Sequence, residues 1–530
     1  MFKYFLVIFV YLLGTIPVLS QTISQNFKFV EATIADVQMA VKSGNMTCRE
    51  IVSGYLDRIS VFDQETKLNA ITVINRNALI KADEIDSAIK NGEELGPLFC
   101  APILIKDNYD THDLPTTGGS IALKNSYPPD DAYMVRKLRE AGAIVIAKTN
   151  MAEWAFSPRQ TKSSSFGVTA NAYDLSRVPA GSSGGTASAT AASFGVAGMG
   201  SDTGNSIRGP SSHLALFGIR STLGLTSRDG IIPLAFDRDI AGPMARTVRD
   251  GALIFNVVAG YDPADPMTEL GKGKRKKDYT EYLKEDALKG KRIGVLRSLV
   301  FTEEADPEIT ALFIKAVDDL KNAGAIIVDP FEIANLEEHR NAPNFCRRFR
   351  YDMYKYLKSL GDDAPIKDVM EVYESGQYSA YVKGGLESFG AGPLDVHPNN
   401  EEPPCMEFPN HAGRNAFKAD VEESMNKFDV DVVIYPSWTN PPAALLRADA
   451  DYKGDNSQII APATGLPAVT VPMGYSHGNL PAGLQILGHA YSEDILFAIA
   501  YAYEQTTKHR KPPRRFPEID KVTKFANRLE

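Results

Sequence analysis

The spacing of apolar residues near the start of the chain follows a helical period. Val37 and Val41, and then Ile51 and Tyr55, recur at the four-residue interval that brings side chains to one face of a helix. This pattern predicts a helical N-terminal layer over residues 21–92.

Farther along the chain, short apolar runs alternate with amphipathic segments. Residues 101–105 form an apolar run that ends at Lys106, residues 131–141 have helical spacing, and residues 144–147 fit a buried strand. This alternation predicts an α/β protein with a central sheet covered by helices. Further strands are predicted over residues 292–296, 326–328, 432–435, 468–471 and 483–487, and a helix over residues 493–506.

The composition is that of a globular protein. The chain has 530 residues, of which 44% are hydrophobic and 23% charged, and its formal net charge is −9. Nucleic-acid-binding proteins normally present a clustered basic surface. We therefore expect no nucleic-acid partner.

The first twenty residues have the pattern of a signal peptide. Lys3 precedes an apolar run over residues 5–13, and small residues lead to a cleavage site near Ser20. Gly14 and Pro17 interrupt the segment, which is short for a membrane span. We predict a signal peptide over residues 1–20 and a secreted, periplasmic or extracellular protein. Retention of the segment as a membrane anchor is the alternative.

The four cysteines fit an exported protein. Their number is even, and disulfides persist in oxidising compartments, so one or two bridges are expected, with buried free thiols as the alternative. Their spacing matches no zinc pattern, and we expect no metal. The cysteines are Cys48, Cys100, Cys346 and Cys405.

Candidate chemistry is concentrated in residues 180–212, which consist largely of Gly, Ser, Ala and Thr. Ser182 and Ser206 both lie beside glycines, which allow close approach of a substrate to the backbone. Successive free N–H groups in such turns can hold developing negative charge, as acyl transfer requires. A flexible linker is the alternative, but residues 186–198 between the two sites are rich in alanine and compatible with a helix.

Residues 181–210 resemble the signature of the amidase signature family, and residues 102–108 resemble the lysine motif of that family. The two serines are 24 positions apart, as in family members. The similarity extends through residues 149–153, 242–248 and 464–485. The resemblance implies one amidase signature domain over residues 93–530, with a central mixed sheet covered by helices on both faces.

The resemblance also implies a role for each of three residues. Ser206 is expected to be the nucleophile, Ser182 the bridging serine after a cis peptide bond, and Lys106 the general base. A lysine accepts a proton only when it is neutral, which requires burial or a positive field that lowers its pKa. No cofactor is expected.

By the same resemblance, backbone N–H groups of Thr203, Gly204, Asn205 and Ser206 are expected to form the oxyanion hole. Family members more commonly have glycine at the position of Asn205. Asparagine tolerates a positive φ better than most residues, so we expect the loop to keep its shape.

Supporting roles are expected for three neighbouring residues. Ser183 is predicted to cap the helix that follows it, and Asp202 and Arg208 to form an ion pair around the loop. Residues 181–185 also satisfy the G-x-S-x-G pattern, in which Ser183 would be the nucleophile. The polar, proline-containing residues 174–180 do not predict the strand that should precede such an elbow.

These features together predict an amidase that hydrolyses a carboxamide in a small molecule or peptide through a serine acyl-enzyme. Two alternatives stay open: a glutaminase-type subunit of a tRNA-dependent amidotransferase, and an inactive binding protein of the same fold. Residues 340–425, which match the family least, are expected to form the substrate pocket.

Overall fold

The computed structural model describes residues 27–343 and 345–519. Its main sheet and one short hairpin are built from thirteen strands. The strands are β1 (Ile71–Ile74), β2 (Pro102–Lys106), β3 (Ile144–Thr149), β4 (Lys162–Ser163), β5 (Gly167–Val168), β6 (Ala197–Asp202), β7 (Phe217–Arg220), β8 (Ile240–Ala245), β9 (Arg292–Val295), β10 (Ile326–Val328), β11 (Val432–Pro436), β12 (Ala468–Ser476) and β13 (Leu480–Gly488).

Fifteen α-helices accompany these strands in the described residues. They are α1 (Ile34–Lys42), α2 (Cys48–Phe62), α3 (Ala78–Asn91), α4 (Tyr133–Glu140), α5 (Gly184–Ala191), α6 (Arg208–His213), α7 (Val248–Val258), α8 (Pro307–Asn322), α9 (Leu336–Asn341), α10 (Phe349–Ser359), α11 (Val369–Ser375), α12 (Lys383–Phe389), α13 (Ala412–Phe428), α14 (Ala461–Thr464) and α15 (Glu493–Thr507). None of the described helices is both long and apolar enough to cross a membrane.

Eleven strands form one mixed sheet in the order β1-β3-β2-β6-β8-β7-β12-β13-β11-β9-β10. Strand β2 pairs in parallel with β3 and β6, whereas β6 pairs antiparallel with β8. Every residue of β2, β3, β6 and β8 is buried, as expected for strands covered on both faces. The predicted α/β class, single domain and central mixed sheet are confirmed.

The strands and helices predicted from apolar spacing are present with shifts of a few residues at their ends. Lys106 closes β2 as expected. The N-terminal layer contains helices α1 to α3, but it also supplies β1, which pairs antiparallel with β3 at one edge of the sheet. The predicted signal peptide lies outside the described residues.

Strand β6 was not predicted because its sequence has no apolar run. It packs through its backbone: a Cβ atom at Gly198 would lie 2.4 Å from Thr186 Cγ2 of α5. In the same way, a Cβ atom at Gly185 would lie 2.1 Å from the carbonyl oxygen of Asn150. The small residues of 180–212 therefore bring α5, β6 and the end of β3 close together, and this segment is not a linker.

Two disulfides link the four cysteines. One joins Cys48 to Cys100, and so ties the start of α2 to the chain just before β2. The other joins Cys346 to Cys405 and encloses helices α10 to α12. The expectation of one or two bridges is confirmed, and none of the cysteines is a free thiol.

Candidate active site

The candidate base, Lys106, is fully buried at the end of β2. Its Nζ atom lies 2.8 Å from Ser182 Oγ and 2.8 Å from Ser201 Oγ. Burial lowers the pKa of Lys106 to about 7, although the negative charges of Asp202 and Asp239 act in the opposite direction. The lysine therefore has a substantial neutral fraction near neutral pH.

The candidate bridging serine, Ser182, follows a cis peptide bond with Gly181, as the family resemblance implies. A Cβ atom at residue 181 would lie 2.4 Å from the carbonyl oxygen of Ser157, so only glycine fits there. The carbonyl oxygen of Ser182 accepts a hydrogen bond from Ala152 N at 3.0 Å. These contacts fix the turn that presents the Ser182 hydroxyl to Lys106.

The candidate nucleophile, Ser206, lies between β6 and α6 and is 5% exposed. Its hydroxyl donates to Asn205 Oδ1 at 3.5 Å. Within the described chain, no hydrogen bond joins Ser206 Oγ to Ser182 Oγ. The structure thus brings Lys106 and Ser182 into hydrogen-bonding contact. The hydroxyl of Ser206 bonds to Asn205 instead of Ser182.

The loop of residues 203–206 presents unpaired backbone donors. Among the described residues, the N–H groups of Thr203, Gly204, Asn205 and Ser206 donate to no protein acceptor. Thr203 anchors the start of the loop because its hydroxyl donates to Asp239 Oδ1. A row of free N–H groups beside a serine hydroxyl suits the stabilisation of an oxyanion.

The expected ion pair between Asp202 and Arg208 is present and fully buried. Arg208 Nε lies 3.2 Å from Asp202 Oδ2, and Arg220 Nη1 lies 3.0 Å from Asp202 Oδ1. Asp202 Oδ2 also accepts from Ile207 N at 3.1 Å. Burial alone would raise the pKa of Asp202, but the charges of Arg208 and Arg220 outweigh it and hold this pKa at about 2. Asp202 is therefore an ionised carboxylate. It begins the Ser206 loop and binds Ile207 and Arg208 at the other end of that loop.

Asn205 departs from the sequence-based expectation. It does not adopt a positive φ, so tolerance of that conformation is not what keeps the loop in shape. Its side chain is instead buried, and Asn205 Nδ2 donates to Asp455 Oδ2 at 2.9 Å. No local pattern in the sequence indicates this contact, because it joins residues 250 positions apart.

The predicted capping role of Ser183 is wrong. Ser183 occupies the N-cap position of α5, but its side chain makes no capping hydrogen bond. Its hydroxyl donates to Ser201 O at 3.1 Å and accepts from Ser201 N at 3.3 Å, because β6 passes directly beside it. No strand precedes residues 181–185 directly in the described chain, so they do not form a nucleophile elbow.

Ser201 contacts both Lys106 and Asn108, although no pattern in the sequence indicated a role for it. Ser201 Oγ accepts from Lys106 Nζ and from Asn108 Nδ2, the latter at 3.0 Å. The parallel pairing of β2 with β6 brings these side chains together. Because that pairing is a tertiary contact, local spacing could not have identified Ser201.

Two neighbouring cavities lie beside the site. A small one is lined by Asn108, Ser201 and Thr203. A larger one, of about 590 Å³, shares Arg228 and Ile231 with it. The region predicted to form the pocket lines much of the larger cavity, with Arg348, Tyr351, Asp352, Lys355, Tyr356, Ser359, His397, Glu407, Phe408 and Pro409.

One cluster of metal-ligand side chains occurs in the described residues, formed by His112, Asp113 and Asp131. Arg139 already pairs with Asp113 at 2.6 Å and with Asp131 at 3.0 Å. The cluster is therefore a network of ion pairs at the surface.

Comparison with known proteins agrees with this geometry. The model of the Amidase family matches residues 50–497. A glutamyl-tRNA(Gln) amidotransferase subunit from Thermoanaerobacter pseudethanolicus is 35% identical over 499 residues, covering 91% of this chain and 98% of that protein. The subunit of the same name from Cyanothece is 33% identical over 515 residues, covering 91% of this chain and all of that protein.

Solved structures show the same similarity. The peptide amidase of Stenotrophomonas maltophilia matches with a TM-score of 0.81 and 33% identity, covering 92% of this chain and 99% of that one. The corresponding glutamyl-tRNA(Gln) amidotransferase subunit from Thermotoga maritima matches with a TM-score of 0.70 and 25% identity, covering 93% and 98%. The chain therefore belongs to the amidase signature family and is an enzyme that acts on carbon–nitrogen amide bonds.

Proposed function

We propose that this enzyme hydrolyses a carboxamide through an acyl-enzyme on Ser206, with Ser182 as proton relay and Lys106 as general base. The observation that carries the proposal is the 2.8 Å contact between Ser182 Oγ and the buried Lys106 Nζ. A buried lysine with a pKa of about 7 is a base suited to neutral pH.

In the proposed reaction, Ser206 Oγ turns from Asn205 towards Ser182 and attacks the amide carbon. The Ser206 proton passes to Ser182, and the Ser182 proton passes to Lys106. Backbone N–H groups of residues 203–206 hold the oxyanion, and each such donor typically contributes about 2.7–4 kcal/mol to lowering the barrier.

The tetrahedral intermediate collapses when its C–N bond breaks and the departing nitrogen takes the proton back through Ser182. Water then attacks the acyl-enzyme, again with Lys106 as the proton acceptor, and releases a carboxylic acid and Ser206. Apart from the substrate and water, every group in this proposed reaction comes from this chain.

A second candidate is the glutaminase-type subunit of a tRNA-dependent amidotransferase. The two curated relatives described above are both named as such a subunit, so the sequence comparison supports this candidate better than a free-standing amidase. The two candidates share the chemistry at Ser206 and differ in the substrate and in the need for partner subunits.

We further propose that the chain is exported. The support is the N-terminal pattern of residues 1–20 and the pair of disulfides, since disulfides persist in oxidising compartments and are rare in the cytosol. Export would separate the chain from cytosolic tRNA and so bears on the choice between the two candidates.

Ser206→Ala is expected to abolish covalent labelling by a serine-directed fluorophosphonate, because it removes the attacking oxygen. Hydrolysis of a responsive amide should fall by roughly 10⁴-fold or more. Ser183→Ala is the matched serine control and should still be labelled, since the Ser183 hydroxyl bonds to the backbone of Ser201. Labelling that survives in Ser206→Ala and disappears in Ser183→Ala would contradict the proposed nucleophile.

The labelling rate of the unmutated enzyme is expected to rise with pH and to level off with a midpoint near 7. Below the lowered pKa of Lys106 the base is protonated, so the rate should fall about tenfold per pH unit. Burial also raises the pKa of Asp455 to about 7, which makes Asp455→Asn the necessary control. A midpoint that disappears in Asp455→Asn would assign the titration to Asp455 and contradict the role of Lys106.

The purified chain, without added subunits, is expected to release ammonia from a carboxamide because it contains all the proposed catalytic groups. Glutamine and a C-terminally amidated peptide are compared by an ammonia assay. Release only from glutamine, and only after the other subunits of an amidotransferase are added, would favour the second candidate over a free-standing amidase.

Expression of residues 1–530 in a secreting host is expected to yield a protein that begins at Gln21, as measured by intact mass and N-terminal sequencing. A matched chain lacking residues 1–20 should stay inside the cell. Recovery of the full-length protein in the membrane fraction, with Met1 retained, would contradict cleavage and show that residues 1–20 act as a membrane anchor.

A further inference from the structure

Asn205 connects the residue beside the candidate nucleophile to a distant part of the chain. Its side chain is 1% exposed, and Nδ2 donates to Asp455 Oδ2 at 2.9 Å and to Pro158 O at 3.4 Å. Gly209 makes room for this amide, because a Cβ atom at residue 209 would lie 2.7 Å from Asn205 Nδ2. The packing is thus adapted to an asparagine at this position.

Asp455 is itself held in place, so it can serve as an anchor. Its Oδ2 atom accepts a second hydrogen bond from the Tyr452 hydroxyl at 3.0 Å. The Tyr452 and Trp438 rings form a T-shaped pair with centroids 5.6 Å apart, and the Arg159 guanidinium lies 4.9 Å from the centroid of the Tyr452 ring. These contacts fix the carboxyl group on the side of Asn205 that faces away from Ser206.

The two ends of the Asn205 amide have different partners. Its NH₂ group faces Asp455, whose Oδ2 atom accepts the hydrogen bond from Nδ2. The amide oxygen then faces Ser206, whose hydroxyl donates to Asn205 Oδ1 at 3.5 Å. One side chain therefore contacts both the anchor and the nucleophile, and its backbone N–H is one of the four proposed oxyanion donors.

We propose that Asn205 is a positioning residue that ties the oxyanion loop and Ser206 to Asp455. The inference rests on the proposed function of Ser206. A loop with glycine at position 205 would have no such side-chain tie, so this enzyme fixes its oxyanion donors partly through a contact between residues 250 positions apart.

Double-mutant analysis of fluorophosphonate labelling tests the tie. Asn205→Ala and Asp455→Ala are each expected to slow labelling of Ser206 by about tenfold, because each breaks the same hydrogen bond. The double variant should be no slower than either single variant, since groups that act through one contact are not additive. Asp455→Asn retains an oxygen acceptor and is expected to stay within about threefold of the unmutated rate.

Arg447→Ala is the matched control on the same loop, since it breaks only the exposed ion pair with Asp451 and should leave the rate unchanged. Thermal unfolding is measured for every variant. If Asn205→Ala does not fold, Asn205→Ser takes its place, because serine is too short to span the distance to Asp455.

An unmutated rate in Asn205→Ala or its serine substitute, or a double variant slowed by the product of the single effects, would overturn the inference. Absence of labelling at Ser206 in the unmutated enzyme would instead overturn the proposed function, and the inference with it. The two failures are therefore distinguishable in one experiment.

Discussion

The proposed site depends on the burial of Lys106, which forms no ion pair with a carboxylate among the residues that the structure describes. Its Nζ atom lies among hydroxyl groups, and the negative charge that acts on it most strongly, that of Asp202, is already compensated by Arg208 and Arg220. An ammonium ion is disfavoured in such surroundings, and the pKa of Lys106 falls accordingly. If Asp202 were free to pair with Lys106, the lysine would stay protonated and could not act as a base.

Lys148 provides an internal contrast. It is also fully buried, at the neighbouring strand β3, but its Nζ atom lies 3.7 Å from Asp107 Oδ1 and donates to the oxygens of Tyr109 and Thr116. Burial lowers the pKa of Lys148 as well, although the charge of Asp107 acts in the opposite direction, and the contacts of Lys148 hold together the loop after β2. The two buried lysines on adjacent strands therefore differ in their partners. Lys148 lies near the carboxyl group of Asp107 and a backbone carbonyl, whereas Lys106 contacts the hydroxyls of Ser182 and Ser201.

Small residues make this arrangement possible. The candidate base, relay and nucleophile come from β2, from the turn before α5 and from the loop after β6, and these segments approach one another through backbone. Gly181, Gly185 and Gly198 each lie where a Cβ atom would meet a neighbouring atom at 2.4 Å or less. The framework of the site is thus close-packed backbone, and the region enclosed by the disulfide between Cys346 and Cys405 lines part of the larger cavity beside it.

The sequence by itself determined the α/β class, the helical N-terminal layer, helices α4 and α15, and most of the apolar strands. It also indicated the candidate residues Lys106, Ser182 and Ser206, and the ion pair of Asp202 with Arg208. The elements follow from local spacing, and the candidate residues follow from motifs that resemble those of the amidase signature family. The tertiary structure alone decided the strand β6, the hydroxyl of Ser201 at Lys106, the actual partner of Ser183 and the tie between Asn205 and Asp455. Each of these depends on which backbone segments lie side by side in the sheet and its loops. Residues that meet in this way are far apart in the sequence, so they produce neither a periodic pattern nor a continuous motif.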